Sequence, residues 1–203
     1  MTIFQINIGN VNYSKYSVPI MKKFCEFNKV NHFVLTYDPI QNKYHRPPSW
    51  IKLFAHEFIK DDFILYWDLD LVPLKLYDIS PVLDYDKLNM VGDTSLLVEN
   101  GFNSNFKFNT GLIGIPKNWS DRLIKIYESK APLASYPSWE QYYVNDYISE
   151  NNEKIHELPI EYNYMYNERG LLKMEDVKNL HFTWEFPNSK SKEEEIKKIY
   201  ENF

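Results

Sequence analysis

Phe63-Ile64-Leu65-Tyr66-Trp67 constrains this chain more than any other segment. Five apolar side chains in a row make a strand that is apolar on both faces, as a strand buried at the centre of a parallel sheet must be. The segments around it agree. A strand is predicted over 3–8, ended by Gly9-Asn10. Helical spacing follows over 14–28, with Val18, Met21, Phe24 and Cys25 on one face. A second strand is predicted over 33–37, then a loop broken by Pro47-Pro48. Ser49 is expected to cap a helix running through Trp50, Leu53, Phe54 and Phe58 to Lys60. Beyond the central strand come strands over 89–92 and 108–115, and helices over 119–129 and 139–149. Ser138 and Gln141 form a capping-box pattern at the start of the second of these helices, and Ser191 and Glu194 repeat it before a charged final helix. Strands alternating with helices predict an α/β fold with a mostly parallel central sheet flanked by helices. With no repeat, low-complexity stretch or linker, one domain is expected over 1–203, with a first half to about residue 75, a second over 76–190 and a terminal helix over 191–203.

Composition narrows the partners. A chain of 203 residues is long enough to bury about 70% of its unfolded surface. Its net charge is −5, and Arg46, Arg122 and Arg169 are the arginines among 23 Lys and Arg. Nucleic-acid binding draws on phosphate neutralisation, so this balance argues against it. A phosphorylated ligand would have to be handled by a metal or by one or two lysines. The single cysteine, Cys25, lies in an apolar run and reads as a buried structural thiol. No basic segment followed by an apolar stretch opens the sequence, and strongly apolar runs stop at about five residues, far short of a membrane span. A cytoplasmic protein without a signal peptide is expected, and the sequons at Asn12 and Asn118 are then idle.

The central strand ends in Asp68-Leu69-Asp70. Asp-x-Asp alone carries little information, and Asp84-Tyr85-Asp86 provides a second instance in what reads as a solvated turn. Position separates the two. Asp68 and Asp70 follow the most apolar strand, where period-2 geometry sends both side chains to one face, and open α/β sheets bind ligands outside the carboxyl ends of their strands. Two carboxylates brought together there repel unless one takes a proton or a cation joins them. Hard oxygen ligands suit Mg²⁺ or Mn²⁺. The alternative is a pair of ordinary turn or capping carboxylates.

Two reaction classes use this arrangement. The pattern over 68–72 fits a Mg²⁺-dependent haloacid-dehalogenase-like phosphatase with Asp68 as nucleophile, but the strand stands third in the chain, and Gly92-Asp93 is followed by Leu97 where that class needs an aspartate. The other is the nucleotide-sugar glycosyltransferase of the GT-A (Rossmann-like) fold. Tyr66-Trp67-Asp68-Leu69-Asp70-Leu71-Val72 resembles the "LYLDxDxxV" of glycosyltransferase family 8, the glycogenin and galactosyltransferase type. Phe108-Asn109-Thr110-Gly111-Leu112-Ile113 resembles its "FNSGxM", and Glu140-Gln141-Tyr142-Tyr143-Val144-Asn145 its "DQDxLN". Leu158-Pro159 with Tyr162-Asn163 resembles "LPxxWN", and Leu180-His181-Phe182-Thr183 the terminal "IHYSG". The order of the five motifs is more specific than any one of them. The size is also similar to minimal GT-A domains of large algal viruses, which can form one module of a longer polypeptide.

The resemblance implies roles. Asp68, Asp70 and His181 would hold Mn²⁺ or Mg²⁺ against the diphosphate of a UDP-sugar donor, with binding weakening below about pH 6.5 as the imidazole protonates. Ile8, Gly9, Asn10 and Tyr13 would form the nucleotide pocket, unless this is an ordinary strand-to-helix turn. Trp67 belongs to the donor-side motif, and Lys52 would reach the diphosphate or else sit in solvent. Asn109, Thr110, Gly111 and Asn163 would line the sugar and acceptor side, with Gly111 leaving room for a sugar ring. Glu140 and Gln141 would meet sugar hydroxyls. A glutamine cannot act as the base of an inverting enzyme, which favours retention, although Asp93 or Glu140 could serve as a base. Residues 94–105 and 162–166 are the expected acceptor contacts. After His181 the family's Gly and "KPW" lysine are replaced by Trp184-Glu185-Phe186-Pro187-Asn188, leaving Lys190 or Lys192 to substitute. The activity so implied is transfer of a hexosyl or deoxyhexosyl unit to a hydroxyl of a glycan or glycoprotein. A non-catalytic nucleotide- or sugar-binding module is the remaining alternative.

Overall fold

The computed structural model describes residues 1–9, 11–40, 46–92, 107–129, 140–166, 171–183 and 189–203. Asn10, Asp93, Ser138, the 94–105 stretch and the 184–188 segment lie outside these residues.

The central strand, β3 (Phe63–Trp67), is buried along its whole length. Its pleat divides its side chains between two cores. Ile64 and Tyr66 pack with Phe4, Trp50, Ile51 and Ile113, whereas Phe63, Leu65 and Trp67 pack with Ile3, Met21, Phe24 and Leu112. Each large apolar side chain so enclosed contributes about 1.5–3 kcal/mol. Beside β3 lies β1 (Thr2–Ile6), which pairs in parallel with β3 and with β2 (Asn31–Leu35). On the other side β6 (Phe108–Pro116) runs antiparallel, followed by β5 (Asn89–Gly92) and β7 (His156–Leu158). The sheet order is β2-β1-β3-β6-β5-β7, with β6 as the reversed strand. The mixed α/β architecture with a mostly parallel central sheet agrees with the sequence reading. A small second sheet joins β4 (Leu71–Pro73), β9 (Asn179–His181) and β8 (Tyr164–Met165) in the order β4-β9-β8.

Helix α1 (Ser14–Asn28) spans the predicted residues in spite of Pro19, and Lys29 ends it in the left-handed conformation. Cys25 is buried in the second core, and burial pushes its thiol up to about 12. The segment after Pro47-Pro48 differs from expectation. It is a 3-10 helix over Pro48–Phe54 continued by the single α-turn α2 (Ala55–Phe58), and Ser49 does not cap it. Among the described residues the remaining α-helices are α3 (Ser120–Ser129), α4 (Glu140–Glu150) and α5 (Ser189–Asn202), the last starting two residues before the predicted Ser191. α5 is seated by the wholly buried Ile196 against Ile20, Tyr164, Leu180 and Phe182. Among the described residues, no helix is long and apolar enough to cross a membrane.

Candidate active site

Three strand ends meet at one place. The chain leaves β3 at Trp67, turns through 68–71 with Leu71 N–H donating to Asp68 O (3.1 Å), and enters β4. This turn, rather than the pleat of a continuing strand, brings Asp68 and Asp70 together, which corrects the period-2 expectation. The β3–β6 ladder extends one step further through Asp68 N–H to Gly111 O (2.8 Å), and the β4–β9 register sets Leu71 opposite His181. The result is a compact group. Asp68, Asp70 and His181 each offer a ligand atom, and these atoms lie within 4.8 Å of one another.

Each carboxylate has one anchored oxygen and one turned toward the imidazole. Asp68 Oδ1 accepts from the Tyr66 hydroxyl and lies 3.7 Å from Lys52 Nζ, while Oδ2 lies 3.8 Å from His181 Nε2. Asp70 Oδ2 accepts from Lys192 Nζ at 2.7 Å, while Oδ1 lies 3.4 Å from His181 Nε2. The aspartate side chains keep 27% and 18% exposure, so the group opens to solvent on one side. Burial drives the Asp68 carboxyl above the usual carboxylate range, Lys52 opposing and Asp70 adding to it. For Asp70 burial acts the same way, but His181, when it carries hydrogen on Nε2, and Lys192 outweigh it and hold the carboxyl low. Two carboxylate oxygens and one imidazole nitrogen converging at an open face are a donor set that could hold a divalent metal ion.

Below the aspartates lies a buried ion pair. Lys52 is 1% exposed, and its ammonium meets Glu140 Oε1 (2.8 Å) and Thr110 O (3.1 Å), with the Tyr66 ring at 4.2 Å. Glu140, 4% exposed, also accepts from Ser49 Oγ (2.7 Å) and Thr110 Oγ1 (2.9 Å). Ser49 thus spends its hydroxyl on Glu140 rather than on a helix cap. Burial alone would lower the Lys52 ammonium and raise the Glu140 carboxyl; Asp68 and Glu140 reverse the first, and Lys52 with the bonds from Ser49 and Thr110 reverses the second. Lys52 is therefore not the solvated helix lysine that is one of its two readings from the sequence.

β6 builds the floor. Its pairing to β5 breaks register between Met90 and Val91, which face Ile113 and Asn109, so Thr110-Gly111-Leu112 bulge from that ladder while Leu112 still pairs with Trp67. Such bulges re-aim side chains. Gln141 Oε1 accepts from the Thr110 N–H (3.1 Å), and Asn145 clamps the Phe108 N–H and C=O at 2.8 Å each. A Cβ on Gly111 would overlap His181 Cε1, so the room this glycine leaves is filled by the imidazole rather than by a sugar ring. Asn109 Oδ1 accepts from Gly111 N–H (2.7 Å) and from Asn163 Nδ2 (2.8 Å), and Asn163 Oδ1 meets His181 Nδ1 at 2.8 Å.

The other expected residues divide. Tyr13 lies at the site, with Lys192 Nζ 5.4 Å from its ring and its hydroxyl pushed up by burial and by Asp70 and Asp68. Ile8 packs partly buried on the first core, and Gly9 adopts φ +91°, a conformation that favours glycine. Trp67 corrects its expectation: the side chain is fully buried on Phe24, and its Nε1–H donates to Leu71 O (2.7 Å), which seals it away from a donor. Asn10 and Asp93 lie outside the described residues. Asp84 and Asp86 form an Asx turn closed by Lys87, as the sequence suggested for a solvated turn. His32, His56 and His156 make structural contacts with Gln5, Ile115 O and Val82 O. Sequence reasoning missed the Tyr66 hydroxyl, although a tyrosine two residues before an aspartate at a strand end faces the same way.

No protein-family model matches the chain, and no curated protein matches it. Solved structures do. A glycosyltransferase involved in the glycosylation of the major capsid of PBCV-1 is similar over 98% of this chain and 100% of its own, at 15% identity and a TM-score of 0.71. The chain has the GT-A fold of such glycosyltransferases. The galactosyltransferase LgtC, solved in complex with donor and acceptor sugar analogs, is similar over 100% of this chain and 96% of its own, at 15% identity and a TM-score of 0.61. The apo glycosyltransferase GlyE of Streptococcus pneumoniae TIGR4 is similar over 99% of this chain and 62% of its own, at 14% identity and a TM-score of 0.63. The GT-A fold speaks against the phosphatase alternative.

Proposed function

We propose that this chain is a metal-dependent glycosyltransferase that moves a hexosyl or deoxyhexosyl unit from a UDP-sugar to a hydroxyl of a glycan or glycoprotein, with retention, as a single domain. The observation that carries this reading is the convergence of Asp68 Oδ2, Asp70 Oδ1 and His181 Nε2 at the carboxyl end of β3 in a GT-A fold. These three atoms would hold Mn²⁺ or Mg²⁺. When bound, the cation supplies electrostatic stabilisation of the negative charge that develops on a departing nucleoside diphosphate.

The protein's own groups do the rest. Tyr66 and Lys52 fix Asp68, and Lys52 is itself fixed by Glu140, so the carboxylate is oriented before a ligand arrives. Lys192 on α5 takes the part of the family's missing lysine and offers its N–H donors to the diphosphate. The first βα turn, with Gly9 and Tyr13, receives the nucleotide. Gln141, which cannot act as a base, accepts from the Thr110 N–H, and the neighbouring Glu140 carboxylate is paired with Lys52, which supports retention. The capsid-glycosylating neighbour and the sugar analogs bound to LgtC support a sugar donor and a glycan or glycoprotein acceptor.

The test is release of UDP from UDP-sugars with Mn²⁺ or Mg²⁺. Turnover is expected to require the cation, to stop in EDTA, and to be lost in Asp70→Ala with the melting temperature preserved. Equal turnover in EDTA overturns metal dependence. Stabilisation by UDP and Mn²⁺ without turnover of any UDP-, GDP- or CMP-sugar makes the chain a binding module instead.

A further inference from the structure

We infer that Asn109 and Asn163 are a positioning pair that fixes the tautomer of His181 and so aims its Nε2 lone pair at the two aspartates. The inference rests on the metal reading of this site for its purpose, but not for its geometry.

The polarity of the chain of hydrogen bonds follows from its first member. Gly111 N–H is a backbone group that can only donate, and it points at Asn109 at 2.7 Å. The Asn109 atom there is therefore the carbonyl oxygen, which cannot donate. The Asn163 atom 2.8 Å from that oxygen must then be the amide nitrogen. This leaves the Asn163 oxygen facing His181 Nδ1 at 2.8 Å, and an oxygen acceptor requires Nδ1 to carry the hydrogen. Amide flips and histidine tautomers are ordinarily ambiguous, but here one backbone amide decides all three.

The consequence lies on the far side of the ring. With the hydrogen on Nδ1, a neutral imidazole presents a bare lone pair at Nε2, 3.4 Å from Asp70 Oδ1 and 3.8 Å from Asp68 Oδ2. A lone pair facing two carboxylate oxygens makes a set of acceptors that suits a cation. Metal-bound histidines commonly use their second nitrogen in this way, and loss of such an outer partner weakens metal binding about 10–100-fold. All three side chains are buried, with His181 at 4%, Asn109 at 7% and Asn163 at 2% exposure, so water cannot replace the chain freely. The sequence separates its members by 54 and 18 positions, and β6 and β9 bring them together. Both asparagines were expected to line the sugar side; their carboxamide oxygens are instead committed to this chain.

The test reads the tautomer of metal-free protein by long-range ¹H–¹⁵N correlation of the imidazole at about pH 8, where a free ring is neutral, with His181 assigned by its loss in His181→Gln. Wild-type protein is expected to show hydrogen on Nδ1. Asn163→Leu is expected to lose that signature and to raise the calorimetric Kd for Mn²⁺ about 10–100-fold. Asn109→Asp, whose carboxylate still accepts from both Gly111 and Asn163, is expected to keep the signature. Absence of hydrogen from Nδ1 of wild-type His181 overturns the inference, and so does a folded Asn163→Leu with wild-type signature and affinity. Should Asn163→Leu fail to fold, the wild-type tautomer and Asn109→Asp still decide. A wild-type protein with the expected tautomer that binds no Mn²⁺ overturns the metal reading while supporting the orientation of the ring.

Discussion

Lys192 Nζ lies 2.7 Å from Asp70 Oδ2, tying the C-terminal helix to the carboxylate pair at the end of β3. α5 is anchored independently, by the buried Ile196 and by the Lys15–Glu193 pair at 2.7 Å. Lys192 therefore reaches Asp70 from a helix held in place without it. Its side chain is 12% exposed, and only one of its three N–H donors is needed for Asp70.

That geometry predicts a donor-binding defect when the lysine is removed. A charge-assisted hydrogen bond contributes about 1.5–3 kcal/mol, so Lys192→Ala should lower kcat/KM for a UDP-sugar roughly 10–100-fold. Lys192→Arg should recover most of it, and the melting temperature should change little because Ile196 still seats the helix. Unchanged kcat/KM in Lys192→Ala would remove this lysine from the donor site.

Gly111 gives a second prediction, because the imidazole of His181 occupies the space a side chain would need. A Cβ there overlaps His181 Cε1 and comes within 3.0 Å of Nδ1, and β6 is pinned by ladders on both sides. Gly111→Ala should cost about 1–3 kcal/mol by overpacking. It should also displace the ring and weaken Mn²⁺ affinity measured by calorimetry. Gly114→Ala, on the same strand, meets Phe63 Cζ at 2.7 Å and Asn89 Cβ at 2.9 Å instead. It should destabilise by a similar amount and leave the affinity alone. Equal affinity losses in the two variants would reduce the effect to general destabilisation.

What the sequence made legible was local. The five apolar residues of β3 and the helical spacing of α1 fixed those elements to their ends, because burial of a short run dictates its own pattern. β2 was placed two residues late, at 33–37 rather than Asn31–Leu35, because its limits come from pairing Thr2 with Asn31 and Ile6 with Leu35. The cluster of Asp68, Asp70 and His181 was reached through motif order. The use made of Ser49, Lys52 and Asn163 was not, since each depends on a partner 91, 88 or 54 positions away (Glu140 for the first two, Asn109 for the third). Ser49 is a good helix cap by type, and only tertiary packing shows that its hydroxyl serves a buried carboxylate.

The buried Lys52–Glu140 pair has a signature in pH. The Glu140 carboxyl lies below its ordinary 4.5 in the folded protein, so its contribution is complete above that value and is lost as pH falls through the lower folded one. The Lys52 ammonium lies above its ordinary 10.5, so its contribution is complete below that value and fades as pH rises past it. Between about pH 5 and 10 the pair should contribute fully. Lys52→Met leaves Glu140 buried without its cation, at a cost of about 3–5 kcal/mol near neutrality. Burial is the largest influence on this carboxyl and then acts against Ser49 and Thr110 alone, so its protonation is expected above 4.5. Acidification toward 4.5 consequently stabilises the variant, and acidification below 4.5 weakens the wild type. Denaturation followed from pH 7 to pH 4 should show the gap between the two proteins narrowing. A gap that stays constant or widens would mean that Glu140 is not held ionised by Lys52.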